Sequence, residues 1–272
     1  MKITFSVILL FLFGNTLFLK AQSSNSKPFM LGITEEIQST ELSEKRILNI
    51  YLPFVYDKDS SINYPVVYLL DGSANEDFIH ISGLVQFMNM YDLYPKSIVV
   101  GIANIDRKRD YTFPTEIKKD KETFPTTGSS AKFISFLEKE VQPFIQKNFK
   151  TNLSKTIIGQ SLGALLATEI LLKKTDLFNN YIITSPSLWW NKQSLLAQAP
   201  DFLKSSSKKK INVVVSVGNE GKVMEDDAKK LAKTLQTNTN LKVSFQEFPN
   251  ENHATILHQS VYKAFEILNA AK

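Results

Sequence analysis

The chain has 272 residues, 32 Lys and Arg against 27 Asp and Glu, a formal charge of +5, and 43% apolar residues. That length and apolar share can bury a sizeable core and exclude a disordered or fibrous chain, while so small a positive excess makes no case for nucleic acid. Cysteine is absent and histidine occurs only at 80, 253 and 258, which removes disulfide scaffolds, thiolate metal sites and cysteine nucleophiles and leaves too few imidazoles for most multi-histidine metal sites.

In chain order, Lys2 precedes an apolar stretch over residues 3–13 softened only by Thr4 and Ser6, and Leu19-Lys20-Ala21 closes the segment. A charged start, a short apolar centre and a small terminal residue predict a signal peptide over residues 1–21, and hence a secreted or periplasmic protein. The stretch is too short and interrupted for a comfortable membrane span, an uncleaved anchor being the alternative. Cleavage after Ala21 removes Lys2 and Lys20 and lowers the charge from +5 to +3. A polar stub over 22–28 then leads into a single domain over 29–272.

Residues 29–39 and 45–55 read as two antiparallel strands near one edge. Continuous Val/Ile/Leu-rich runs follow at 66–70, 97–102, 156–158, 181–184, 211–217 and 243–248, the pattern of strands covered on both faces of a mostly parallel sheet. Amphipathic stretches at 79–91, 130–149, 162–174, 191–204, 224–237 and 255–271 alternate with them, predicting one doubly wound α/β domain. Residues 103–128 carry no usable period and follow a strand, so they should form a long loop at the carboxyl edge, where ligands sit in open α/β sheets.

Between the run 156–158 and the helical pattern from 164 lies Gly159-Gln160-Ser161-Leu162-Gly163. A serine lifted on a sharp strand-to-helix turn needs neighbours without bulk, and the same turn aims the Leu162 amide and the positive helix end at an oxyanion formed beside Ser161. A hydroxyl is a poor nucleophile until a base takes its proton. In folds with this turn the base follows the last strand, where His253 sits in FPNENH, while His258 falls inside the closing helix. The acid should follow the preceding strand. There Glu220 stands in a Gly-Asn-Glu-Gly loop, with Asp226 or Asp227 as the fallback. A second oxyanion amide is expected at Ser73, after Asp71-Gly72.

Together, YLLDG at 68–72, GIANIDRKRDYTFP at 101–114, GQSLGA at 159–164, SPSLWW at 185–190, VGNEG at 217–221 and FPNENH at 248–253 resemble the esterase D-like group of α/β-hydrolases, nearest to its siderophore-esterase-like members. The resemblance runs from about Gly32 to the C-terminus. It implies an α/β-hydrolase fold with antiparallel strands at the N-terminal edge, and a carboxylic ester hydrolase without cofactor or metal acting on a small-molecule ester, of siderophore or aryl and feruloyl type. Ser161 would be nucleophile, His253 base and Glu220 acid, with Leu162 and Ser73 forming the oxyanion hole. Ala164 departs from the third glycine of many relatives. Arg107 and Arg109 are candidates to clamp an anionic substrate, unless they pair with Asp106 and Asp110; Trp189 and Trp190 are candidates for an aromatic wall, with core packing explaining at least one. A catalytically silent binding protein and an acyltransferase on the same scaffold are the alternatives.

Overall fold

The computed structural model describes residues 26–54, 56–58, 60–204 and 209–270, so the signal peptide expected over 1–21 lies outside the described residues. Eight strands form one sheet: β1 (Ile33–Ser39), β2 (Glu44–Tyr51), β3 (Tyr64–Leu69), β4 (Ile98–Ile102), β5 (Thr151–Gln160), β6 (Asn180–Thr184), β7 (Ile211–Gly218) and β8 (Leu241–Phe248). Their spatial order is β1-β2-β4-β3-β5-β6-β7-β8. β1 pairs antiparallel with β2, and β2 with β4, while every later neighbour is parallel. This is the mostly parallel sheet that the apolar runs predict, with the antiparallel N-terminal edge expected of residues 29–39 and 45–55.

The helices are α1 (Phe78–Met90), α2 (Arg107–Tyr111), α3 (Lys118–Thr123), α4 (Ser130–Phe136), α5 (Gln142–Asn148), α6 (Leu162–Lys173), α7 (Trp190–Lys204), α8 (Lys222–Leu235) and α9 (Ile256–Ala270). Because successive strand residues point to opposite faces, Val66, Tyr68 and Leu70 join the core under α4–α8, whereas Val67 and Leu69 join the core under α1 and α9. All of α6 from Leu162 to Leu172 is buried, which is why that stretch reads as apolar all round rather than striped. Among the described residues no helix is long and apolar enough to cross a membrane.

Three stretches differ from expectation. The long connection over 103–128 contains α2 and α3. Asp106 caps α2 by accepting from the Arg109 amide, 3.0 Å, and α3 buries nothing, so neither helix leaves an apolar period. The predicted helix over 130–149 is two α-segments joined by a π-turn at Leu137–Val141, which shifts the register without interrupting the apolar face. At the start of α7, Asn191, Lys192 and Gln193 are left-handed, with φ of 49°, 53° and 61°, at about 1–2 kcal/mol each. Side chains hold that turn: Asn191 accepts from Thr115 Oγ1 (2.9 Å) and Gln193 donates to Asp227 (3.0 Å).

Candidate active site

Ser161 stands at the junction of β5 and α6 with φ 58° and ψ −118°, a conformation that costs a non-glycine residue about 1–3 kcal/mol. Three backbone bonds hold it there. Ser161 N–H donates to Thr184 O (3.1 Å), and its own carbonyl accepts from Ser187 (3.1 Å) and Leu165 (2.9 Å). At Gly159 a Cβ would lie 2.4 Å from the Gly163 carbonyl oxygen, so strand and helix meet at a separation only glycine permits. Leu162 opens α6, and its amide has no acceptor within the helix. The positive end of the helix dipole thus falls next to the serine that precedes it.

The chain brings an acid and a base to the same edge from the ends of β7 and β8. The Glu220 side chain is only 2% exposed, against 49% for His253. Glu220 Oε1 accepts from the Gly218 amide (3.0 Å) and from the Ser185 hydroxyl, leaving Oε2 to pair with His253 Nδ1. Burial pushes the Glu220 carboxyl up, but bonds from His253, Ser185 and Gly218 outweigh it and hold the group below the ordinary carboxylate value. The loops are cross-tied as well: Asn219 N–H donates to Glu251 O (2.7 Å), and Gln160 Nε2 donates to the His253 carbonyl. Neither fallback acid reaches the imidazole, since Asp226 is exposed and Asp227 accepts from Gln193.

Ser161 and His253 line one open pocket together with Asp71, Glu76, Asp77, Arg107 and Gln160. Within the protein, Ser161 Oγ is hydrogen-bonded to Ser187 Oγ at 3.2 Å. Hydroxyl-to-imidazole bonds are often unmade before substrate arrives. Burial, reinforced by the charges of Asp71 and Glu76 and opposed by Arg107, pushes Asp77 up to about 6.

Several expected binding residues stand elsewhere. Arg107 does reach the pocket, but Nε and Nη2 form a fork on Asp71 (2.6 and 2.8 Å) and Nη2 also donates to the Gln160 carbonyl (3.2 Å). It thereby straps the Asp71-Gly72-Ser73 loop to the residue before Ser161. Arg109 is not a substrate clamp: its guanidinium forks onto Glu44 (3.1 and 2.6 Å) and donates to buried Asp110 (2.8 Å), in a network with buried Arg46. Asp106, the other partner considered for these arginines, caps α2 instead. Trp190 is fully buried, its Nε1–H donating to Phe113 O at 3.0 Å, and Trp189 packs against Phe124 and Trp190. Core packing therefore accounts for Trp190, while Trp189 is half-buried, and neither is among the residues that line the pocket with Ser161. The Ser73 amide, expected as an oxyanion donor, faces Glu76 Oε2 at 3.2 Å, and must shed that carboxylate before it can serve. His80, on the first turn of α1, pairs with His258 at 2.8 Å and is not among these lining residues.

Sequence reasoning misses Gln160, Glu76, Asp77, Ser185 and Ser187 as members of the site. Gln160 lies inside GQSLGA, and Ser185 and Ser187 inside SPSLWW, where the nucleophile and the tryptophans are the more conspicuous residues. Glu76 and Asp77 belong to no motif. Among the described residues, no group of three or more His, Asp or Glu side chains is arranged to hold a metal ion.

Comparison with known sequence families matches residues 39–265 to the family described as Putative esterase. The chain is 28% identical over 270 residues to the ferri-bacillibactin esterase BesA of Bacillus subtilis, covering 90% of this chain and 92% of that protein. Among solved structures, it is similar to an IroE-like serine hydrolase from Shewanella oneidensis, with a TM-score of 0.81, 28% identity and coverage of 88% of this chain and 80% of that one. It is likewise similar to the BES protein of Bacillus cereus, with a TM-score of 0.77, 29% identity and coverage of 89% and 97%.

Proposed function

The chain belongs to the Putative esterase family, and from that premise we propose that it hydrolyses carboxylic esters of the siderophore type through an acyl-enzyme on Ser161. The observation that carries this is the pairing of His253 with buried Glu220 on loops that meet in the pocket of a strained serine. Ser161 Oγ attacks the ester carbonyl while His253 Nε2 takes its proton, and Glu220 keeps the other ring nitrogen protonated and the imidazolium stabilised. The Leu162 amide holds the tetrahedral oxyanion, joined by the Ser73 amide once Glu76 moves aside. The carbon–oxygen bond to the alcohol then breaks, and His253 returns the proton to the departing oxygen. Water, deprotonated by the same imidazole, attacks the acyl carbon and releases the acid and the serine.

The name of the Bacillus subtilis relative supports the substrate class. Arg107 Nη1, the guanidinium nitrogen not engaged by Asp71 or Gln160, suits an anionic substrate oxygen. The signal-peptide pattern over 1–21 supports action outside the cytoplasm.

A single panel of catecholate trilactones, feruloylated and acetylated sugars and simple aryl esters tests the reading. Turnover is expected to be highest on the trilactones, with a fluorophosphonate probe adding its mass at Ser161. A folded protein that neither turns over any ester nor takes the probe would sink it. Arg107→Met is expected to lower kcat roughly tenfold on neutral and anionic esters alike, because it cuts the strap to Gln160, and to raise KM only for anionic ones. Steady-state kinetics on two esters differing only in charge checks this.

A further inference from the structure

Two serines that these steps leave unused sit at opposite ends of the Ser161–His253–Glu220 set, in one turn. Ser185-Pro186-Ser187 follows β6, with Ser185 0% and Ser187 2% exposed. The turn is pinned at both ends: Ser185 N–H donates to Ser216 O in β7 (2.8 Å), and Ser187 N–H donates to the Ser161 carbonyl (3.1 Å). Ser185 is held at φ 48°, against the steric preference of any residue with a Cβ, and the proline ring fixes the φ of the next residue.

With the backbone so constrained, each hydroxyl meets one member of the set. Ser185 Oγ donates to Glu220 Oε1, beside the Gly218 amide at 3.0 Å, so Oε2 is the oxygen presented to His253 Nδ1. A carboxylate rotates broadly about its last torsion, and two donors on one oxygen stop that rotation. At the other end Ser187 Oγ lies 3.2 Å from Ser161 Oγ and selects one of the staggered rotamers open to that side chain.

We propose that the Ser185-Pro186-Ser187 turn is a positioning device for both ends of the catalytic set, with Ser185 acting through Glu220 and Ser187 through the Ser161 hydroxyl. The assignment rests on the esterase reading above. It gives a use to the strain at two of the positive-φ residues, Ser161 at 58° and Ser185 at 48°, which the turn joins through the Ser187 amide and the Ser161 carbonyl.

The experiment is a mutant cycle on the full protein. Ser185→Ala, Ser185→Gly and Ser187→Ala are made in the wild type and in Glu220→Gln, and kcat, KM and the rate of Ser161 phosphonylation are measured. Glycine at 185 suits the positive φ, so that variant removes the hydroxyl while favouring the turn. Both Ser185 variants are expected to lose about tenfold in kcat with KM within about twofold, and to lose nothing further when Glu220 is already glutamine. Ser187→Ala is expected to lose about fivefold in kcat in both backgrounds, with KM within about twofold and Ser161 phosphonylation slowed by the same factor, since its route passes through the Ser161 hydroxyl and not through Glu220. Unchanged phosphonylation would make Ser187 merely structural and overturn its part in the proposal. Equal losses of the Ser185 variants in the two backgrounds would make Ser185 merely structural and overturn the proposal, as would full kcat in Ser185→Gly or in Ser187→Ala. A folded wild type inactive on every ester would instead remove the esterase reading, and the proposal with it.

Discussion

Ser161→Ala is expected to lower kcat by on the order of 10⁴-fold or more while leaving the fold intact, because the attacking oxygen is lost and only the oxyanion amides and substrate binding remain. Stability should respond in a way that betrays the strain at this position. Alanine keeps a Cβ at φ 58° and ψ −118°, so it inherits the cost, whereas Ser161→Gly relieves it. The glycine variant should be equally inactive but more stable than the alanine variant by about 1 kcal/mol, a rise of roughly 2–4 °C in Tm for a domain of this size. Hydrolysis of an aryl ester and thermal unfolding of both variants check the pair of outcomes. Retained turnover in Ser161→Ala would remove the acyl-enzyme. Equal melting temperatures would mean the elbow is not strained in solution.

The parts of the site legible in the amino-acid sequence are those whose constraint is local. Gly159 announces the elbow because any Cβ there would lie 2.4 Å from the Gly163 carbonyl oxygen, and such a requirement leaves its mark at the position itself. Glu220 and His253 are reachable because the alternation of strands and helices already places their loops at one edge. Arg109 misleads because its partner Glu44 lies 65 positions away on β2, a pairing that no local pattern records. Trp190 looks the same in a sequence whether it walls a pocket or fills a core, and only the packing of Phe113 and Phe124 around it decides. The Ser73 amide falls on the expected loop, but the carboxylate that covers it depends on a Glu76 rotamer fixed by Asn104 and Ser73 together. Ser185 and Ser187 give no signal, since a serine after a strand is ordinary until the two residues it touches are known.

Glu220→Gln is expected to lower kcat/KM by about 10³–10⁴-fold with little change in Tm, and the reason lies in which oxygen holds which donor. Oε1 accepts two hydrogen bonds, from Gly218 N–H and Ser185 Oγ, and Oε2 faces His253 Nδ1. In the glutamine variant the amide oxygen must stay with Gly218, because the opposite placement would set an NH₂ group against a backbone N–H. The NH₂ therefore turns toward Nδ1 and selects the tautomer that carries its proton on Nε2, the nitrogen that has to accept from Ser161. The loss is thus one of protonation geometry rather than of packing: Glu220→Gln preserves volume and both Oε1 bonds. Asp226→Asn and Asp227→Asn, whose side chains do not reach the imidazole, should keep kcat/KM within about twofold. Measuring the three variants on one activated ester decides the matter. A large loss in an Asp226 or Asp227 variant alongside a near-normal Glu220→Gln would transfer the acid's role to α8 and remove Glu220 from the mechanism.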